Sequence, residues 1–203
     1  MSTLAQEIRP VRIRAGWIVD VAFIVAGSLL IAGLAQLSIR LPFTPVPITG
    51  QTLGVLLVAA SLGTVRGVAS VGLYLVEGAV GLPFFADGQH GVELLYASSA
   101  TGGYLWGFVV AAAVIGHLAQ QGWDRSIGSA IGAMVIGEII IFTLGVLWLA
   151  NALNVPLVGA VDKYDDALDF GLYPFVVGDI LKVLLAAGAL PSAWRFVGRD
   201  RRD

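Results

Sequence analysis

Long apolar runs, separated by short polar or glycine-rich segments, dominate the pattern of the chain. Six such runs are Trp17 to Leu37, Thr52 to Val65, Gly67 to Phe85, Gly103 to Leu118, Ile127 to Ala150 and Tyr173 to Leu190. Because roughly 20 apolar residues cross a bilayer, the pattern predicts an all-α, polytopic membrane protein. The fold we expect is a compact bundle of six transmembrane helices.

The second run is too short to span alone, unless it uses part of the preceding loop or lies tilted and shielded. The GTVRG segment, Gly63 to Gly67, follows it and predicts a tight hairpin in which Arg66 reaches water at a membrane face. Two G-x-x-x-G spacings, Gly103/Gly107 and Gly128/Gly132, predict close helix packing, since small residues one turn apart let backbones approach.

Composition supports the membrane prediction, because 57% of residues are hydrophobic and only 13% are charged. Soluble domains are about a quarter charged. The net charge of -2 argues against a nucleic-acid partner, which requires a concentrated basic patch. The absence of cysteine excludes a disulfide scaffold, a thiolate metal site and a cysteine nucleophile. With only two separated histidines, we expect no metal site and no cofactor.

Basic residues predict the orientation of the bundle, since cytoplasmic loops are enriched in Lys and Arg. With both termini inside, two basic residues, Arg40 and Lys163, lie outside. The remaining loop and terminal residues, all arginines, lie on the cytoplasmic side: Arg9, Arg12, Arg14, Arg66, Arg125, Arg195, Arg199, Arg201 and Arg202. The chain is thus predicted to be a single membrane domain, 1–203, with a cytoplasmic segment 1–16, a bundle 17–190 and a basic cytoplasmic tail 191–203.

The last apolar run, PFVVGDILKVLLAAGAL, carries two opposite charges, Asp179 and Lys182. Pro174 suits the first turn of a helix and Pro191 its end, which predicts about 16 residues spanning some 24 Å. The i, i+3 spacing places both charges on one side of the helix. Because a charge that faces lipid costs several kcal/mol, we expect both to point into the bundle. One interpretation is a structural ion pair. Since buried pairs are poor stabilisers, we favour a ligand with a urea-like or amide-like group.

Two outer loops could complete a pocket around that pair. The segment from Leu41 to Thr52 contains three prolines that stiffen it, with Phe43 as a candidate apolar lid. The segment from Gly81 to Tyr104 offers aromatic side chains, and backbone N–H groups before a helix at Gly103 could hold an anion.

Three segments, TPVPITGQTLGVLL, GVASVGLYLVEGAVGLPFFADGQHG and TGGYLWGF, resemble the BioY family, the biotin-specific S components of energy-coupling factor (ECF) transporters. The helix-borne Asp-x-x-Lys is a second point of resemblance. Two residues depart from the family pattern: Ala100 stands where a proline is usual, and Glu77 where an aliphatic residue is usual.

The resemblance implies a membrane subunit that captures biotin from outside, in the cytoplasmic (inner) membrane of a prokaryote. It places Asp179 and Lys182 at the ureido ring, and the valerate carboxylate near backbone N–H groups of Gly91 and Gly102. Gln51, Phe43 and Tyr104 complete the substrate-binding set that we expect.

The energy source must lie on other chains if transport uses ATP. The chain has two lysines, and neither follows a glycine, so a nucleotide-binding P-loop cannot occur. We therefore expect a transporter subunit and not an enzyme. The resemblance implies ATP-binding subunits and an EcfT-like transmembrane coupling subunit, which would dock on Ala22 and Ala26. The sequence leaves a homo-oligomer open.

A stand-alone proton-coupled carrier of small solutes is the alternative function. Asp179, Lys182 and Glu138 would then form an intramembrane relay. Glu138 lies in the middle of the fifth apolar run, and the sequence alone permits it to face a polar cavity, a partner subunit or Lys182.

Overall fold

The computed structural model describes residues 3–8, 16–159 and 166–199, and these are mostly helical. The helices are α1 (Leu4–Ile8), α2 (Gly16–Ala35), α3 (Gln51–Ala79), α4 (Gly102–Gln120), α5 (Ile127–Leu153), α6 (Ala167–Gly171) and α7 (Val176–Arg199). Two short antiparallel strands, β1 (Ser38–Ile39) and β2 (Ile48–Thr49), join α2 to α3. Two 3-10 helices, Ala86–Gly88 and Val92–Leu95, lie between α3 and α4.

Five of these helices, α2, α3, α4, α5 and α7, are long and apolar enough to cross a membrane. The longest, α3, folds back on itself at Gly63, where the backbone is non-helical (φ 79°, ψ -177°). Gly67 then lies against Ala59, and the Gln51 side chain reaches the Tyr74 hydroxyl. Residues 51–62 and 64–79 are therefore antiparallel arms, and the described residues form the predicted all-α bundle with six helical arms.

The hairpin turn differs from the prediction in one detail. Helical backbone resumes directly after Gly63, so Arg66 belongs to the second arm and its side chain is largely covered. It pairs with Asp20 of α2 at 2.9 Å, which replaces the expected exposure to water.

Helix α4 packs between α3 and α5, and two glycines set the α4–α5 distance. A Cβ on Gly107 would lie 3.1 Å from the Ile141 Cα, and a Cβ on Gly103 would come even closer to the Trp148 Cβ. The predicted packing role of the Gly103/Gly107 pair is therefore confirmed. At the second pair, Gly128 has open space around it and Gly132 meets only the Trp123 ring, so the prediction for that pair is wrong.

One end of the bundle gathers both ends of the described chain. Thr3 lies against the Gly63 turn, and the Trp194 indole N–H of α7 donates to the Asp124 carboxylate at 2.5 Å. Asp124 lies in the loop between α4 and α5 and is buried. Burial raises the pKa of its carboxyl group, and the hydrogen bond from Trp194 offsets part of that rise. The first and last described helices thus meet at one face, as the predicted topology requires. Which side of the membrane this face occupies remains a prediction.

Helix α7 does not end at Pro191 as predicted. It runs to Arg199 with Pro191 buried inside it. A proline removes one backbone hydrogen bond, which a membrane helix tolerates when neighbouring groups satisfy the carbonyls. The predicted tail therefore begins as helix. Residues 200–203, the predicted basic positions Arg9, Arg12, Arg14 and Lys163, and most of the N-terminal segment lie outside the described residues.

We predict that Gly63→Ala destabilises the protein by about 1 to 3 kcal/mol, because the backbone there is accessible almost only to glycine. The added Cβ would also meet Thr3 at 2.8 Å. Thermal unfolding in detergent measures the effect. The matched control is Gly72→Ala in the same helix, where a Cβ meets nothing within 4 Å. Equal melting temperatures for the two variants would contradict a strained turn at Gly63.

Candidate functional site

Asp179 and Lys182 of α7 form a three-membered polar cluster with Thr52 of α3. The Lys182 ammonium donates to Asp179 Oδ1 at 2.6 Å and to Thr52 Oγ1 at 2.9 Å. The Thr52 hydroxyl in turn donates to Asp179 Oδ1 at 3.2 Å. Asp179 is only 5% exposed, and its second oxygen, Oδ2, has no hydrogen-bond partner among the described residues. The cluster is therefore buried, charged and incompletely satisfied.

Local sequence explains how the cluster forms. Helix α7 begins just after Pro174, and the Asp179 backbone N–H donates to the Phe175 carbonyl at 2.9 Å in its first turn. The i, i+3 spacing then brings Lys182 to the same side as Asp179. Thr52 lies in the first turn of α3, shortly after β2, and its hydrogen bonds to Asp179 and Lys182 join the start of α3 to α7.

The cluster lies at the wall of a narrow cavity with about 60 Å³ open to the centres of water molecules. Since one water needs roughly 10–15 Å³ of such space, the cavity has room for a few water-sized molecules. Five aromatic rings line it: Phe85, Tyr104, Phe108, Phe142 and Phe175. The polar residues at its wall are Thr49, Gln51, Thr52, Gln89, Thr101, Tyr104, Asp179 and Lys182. This combination of aromatic walls and a few polar groups is typical of a small-molecule site.

Two of the predicted residues are fixed by hydrogen bonds at the cavity wall. The Gln51 amide N–H donates to the Tyr74 hydroxyl, and its carbonyl accepts from Thr49 at 2.8 Å. The Tyr104 hydroxyl donates to the Gly171 carbonyl at 2.8 Å, which ties α4 to α6. Both side chains are buried and pre-positioned.

Of the seven predicted substrate-binding residues, four line the cavity and three do not. Asp179, Lys182, Gln51 and Tyr104 meet there. Phe43 is 42% exposed and lies outside the lining.

The two glycines predicted to hold an anion also lie outside the cavity lining. The Gly91 backbone N–H donates to the Gly78 carbonyl at 2.9 Å and is therefore already used. Gly102 packs against the Trp148 ring and the Leu94 carbonyl.

Four polar residues of the lining were not predicted: Thr49, Thr52, Gln89 and Thr101. Thr52 had a usable signal, because it is a hydroxyl residue in the first turn of an apolar run and directly follows Gln51. Gln89 and Thr101 lie in the irregular segment between α3 and α4, where no helical period indicates their direction.

An ion pair borders the outer mouth of the cavity. Arg40, next to β1, pairs with Asp87 of the first 3-10 helix, and this contact lowers the pKa of the Asp87 carboxyl. Both residues line an outer vestibule of about 440 Å³, which shares Pro47, Gln89 and Thr101 with the inner cavity. The vestibule therefore leads from the surface toward the Asp179 cluster.

The predicted partner-docking residues, Ala22 and Ala26, lie on an exposed part of α2. In the described chain, α2 buries mainly Val19, Gly27, Ser28, Ile31, Ala32 and Ala35. The two alanines are thus placed where a neighbouring protein in the bilayer could reach them.

Comparisons with known proteins agree on one family. Residues 4–199 match the BioY family. The chain is 38% identical over 149 residues to the biotin transporter BioY of Thermotoga maritima, covering 73% of this chain and 81% of that protein. It is 31% identical over 156 residues to the biotin transporter BioY of Rhizobium etli, covering 73% and 78% respectively.

A solved structure shares the fold. It is the S-component for biotin from an ECF-type ABC transporter, with a TM-score of 0.73 over 94% of this chain and 95% of that one. The sequences are 24% identical, so this likeness supports the six-arm architecture.

We predict that the charge pair is dispensable for folding when both charges are removed together. Lys182→Met alone leaves a buried carboxylate uncompensated and should lower the free energy of unfolding by about 3 kcal/mol or more. The double variant Asp179→Leu/Lys182→Met should recover to within about 1 kcal/mol of the unchanged protein or exceed it. Thermal unfolding in detergent checks both. A double variant as unstable as Lys182→Met would mean that the pair holds the fold together.

Proposed function

The chain belongs to the BioY family, and from this premise we propose that it is the biotin-binding S component of an energy-coupling factor transporter. The observation that supports this function best is the incompletely satisfied Asp179–Lys182–Thr52 cluster at the wall of an aromatic cavity inside the bundle. A buried charge pair offers a fold little stability, but it offers complementary partners to a small polar group.

The ureido ring of biotin suits this cluster. Its two N–H groups donate, and the Asp179 carboxylate accepts; its carbonyl accepts, and the Lys182 ammonium donates. The fused sulfur ring and the aliphatic chain fit beside the aromatic walls, because both are apolar. Biotin would enter with its ureido end first and finish the hydrogen bonding that Thr52 begins.

The valerate carboxylate would then point toward the mouth. Gln89 and Thr101 line both the cavity and the vestibule and can donate to it. Beyond them, the positively charged Arg40 guanidinium lines the vestibule and could attract the carboxylate. This assignment replaces the expectation for Gly91 and Gly102, neither of which lines the cavity.

The cavity is narrow for a bicyclic molecule with a side chain, so we expect it to widen as the ligand enters. The segment 40–47 and the irregular segment 80–101 border the mouth, so these are the elements that would have to shift. The Arg40–Asp87 pair joins the two segments, so it would break or shift as biotin enters.

Transport would need other chains. We assign ATP hydrolysis to separate ATP-binding subunits and force transmission to a transmembrane coupling subunit. Ala22 and Ala26 suit docking of that subunit, because small residues four apart on an exposed helix face let another helix approach closely. The setting proposed for this assembly is the cytoplasmic membrane of a prokaryote, with both termini inside.

We predict that Asp179→Asn weakens biotin binding by about 1 to 3 kcal/mol, because a charged acceptor of the ureido N–H groups becomes a neutral one. Isothermal calorimetry on the detergent-purified protein measures this. Asp20→Asn, which makes the same chemical change at the opposite face of the bundle, should leave biotin affinity unchanged. If the unchanged protein binds no biotin, the function itself is wrong. Equal affinity of Asp179→Asn and the unchanged protein would remove Asp179 from the site.

We predict that Arg40→Gln lowers affinity for biotin by about 1 kcal/mol or less, because an exposed guanidinium is worth little to an anion. Affinity for biotinamide, which has no carboxylate, should not change. Asp87→Asn should increase the preference for biotin over biotinamide, since it frees Arg40 from its partner. Competition binding with both ligands measures the preference. An equal loss of affinity for the two ligands in Arg40→Gln would show that Arg40 does not read the carboxylate.

A further inference from the structure

A second, larger hollow lies next to the biotin cavity, between α5 and α7. It measures about 680 Å³ and is almost entirely apolar. Its outer rim carries exposed side chains such as Ile139 and Ile180, which face the lipid in a membrane. Asp179 and Phe142 line both this α5–α7 groove and the cavity, so the two hollows meet at the charged cluster.

Glu138 of α5 lies in the α5–α7 groove and has an unusual environment for a carboxyl group. It is only 7% exposed, and neither Oε1 nor Oε2 has a hydrogen-bond partner among the described residues. The same holds for Asp179 Oδ2 across the groove. Three carboxyl oxygens on two facing helices are thus buried without a donor.

The surroundings of Glu138 cannot stabilise a second negative charge. The titratable and charged groups that face it are Asp179 and Lys182 from α7, with Tyr104 of α4 behind Asp179. The Lys182 ammonium already donates to Asp179 and Thr52, and the Tyr104 hydroxyl to Gly171. Leu168 and Leu172, which close the groove near α6, are apolar, as are Leu157 and Val158 of the segment after α5. An unpaired carboxylate in this setting costs several kcal/mol, whereas a neutral carboxylic acid supplies the missing donor.

We propose that Glu138 is held as a neutral carboxylic acid whose O–H donates to Asp179 Oδ2, and that it thereby positions Asp179 for biotin. The proton is shared between one oxygen of each residue. A carboxylate oxygen has two lone pairs, so Asp179 Oδ2 still has one for a ureido N–H. This inference rests on the proposed function, because the group that Glu138 positions is the ureido acceptor.

The role predicts different outcomes for two replacements of Glu138. Glu138→Gln keeps an N–H donor toward Asp179 and should bind biotin within about twofold of the unchanged protein. Glu138→Leu removes the donor and should bind about tenfold more weakly or worse, since a hydrogen bond to a charged group is lost. Thr143→Val, a polar-to-apolar change elsewhere in the same groove, is the matched control and should bind normally. A Glu138→Leu variant that binds like the control would overturn the proposal, as would equal losses in the Gln and Leu variants.

Infrared difference spectroscopy tests the protonation state without relying on affinity. The ligand-free protein should show the carbonyl band of a protonated carboxylic acid, the band should be absent in Glu138→Gln, and biotin should shift it. If Glu138→Gln leaves the carbonyl region unchanged, Glu138 is ionised and the proposal is wrong. The band is measured before biotin is added, so this test of the Glu138 protonation state does not depend on biotin binding. If the unchanged protein shows the band but binds no biotin, only the proposed function is wrong.

Discussion

The structure is organised around an anion and a cation that are held inside an apolar bundle, where water cannot solvate them. Asp179 and Lys182 partly satisfy each other, and Thr52 contributes a hydroxyl between them. The desolvation of two charges nearly cancels their attraction, so the pair adds little to folding. What it adds is an acceptor and a donor next to each other in a medium of low dielectric, where a ligand that completes the hydrogen bonding would be bound strongly.

Backbone geometry brings the partners of this pair together. The non-helical Gly63 turns α3 back on itself, which allows the first arm to start next to β2 and present Thr52 to α7. The α4–α5 contact through Gly103 and Gly107 places Tyr104 and Phe142 on the opposite wall, where their rings meet edge to face at 6.2 Å. The segments that connect these helices form the mouth and are joined by Arg40 and Asp87. A packed base and a mouth that the exposed Arg40–Asp87 pair joins fit a site that opens toward one side.

The sequence predicts the parts that depend on local chemistry. Apolar length predicts the helices, glycine predicts the hairpin, and the rarity of charges inside a span marks Asp179 and Lys182 before any contact is known. Sequence-based prediction fails where contacts between residues far apart in the chain determine the structure. Pro191 looks like a helix end, but a membrane helix tolerates the missing bond. Gly91 offers a backbone N–H in the sequence, and the fold uses it on Gly78. Glu138 faces the charged cluster only because α5 and α7 pack side by side, which no periodicity reveals.

The most direct measurement is a structure of the protein with biotin bound. If the buried charges serve ligand binding, the ureido carbonyl of biotin should lie within hydrogen-bond distance of Lys182 Nζ, and its N–H groups should donate to the Asp179 carboxylate. The valerate chain of biotin should point toward the vestibule that Arg40 lines. Biotin bound elsewhere, with the contacts among Asp179, Lys182 and Thr52 unchanged, would show that the charges serve the fold and not the ligand.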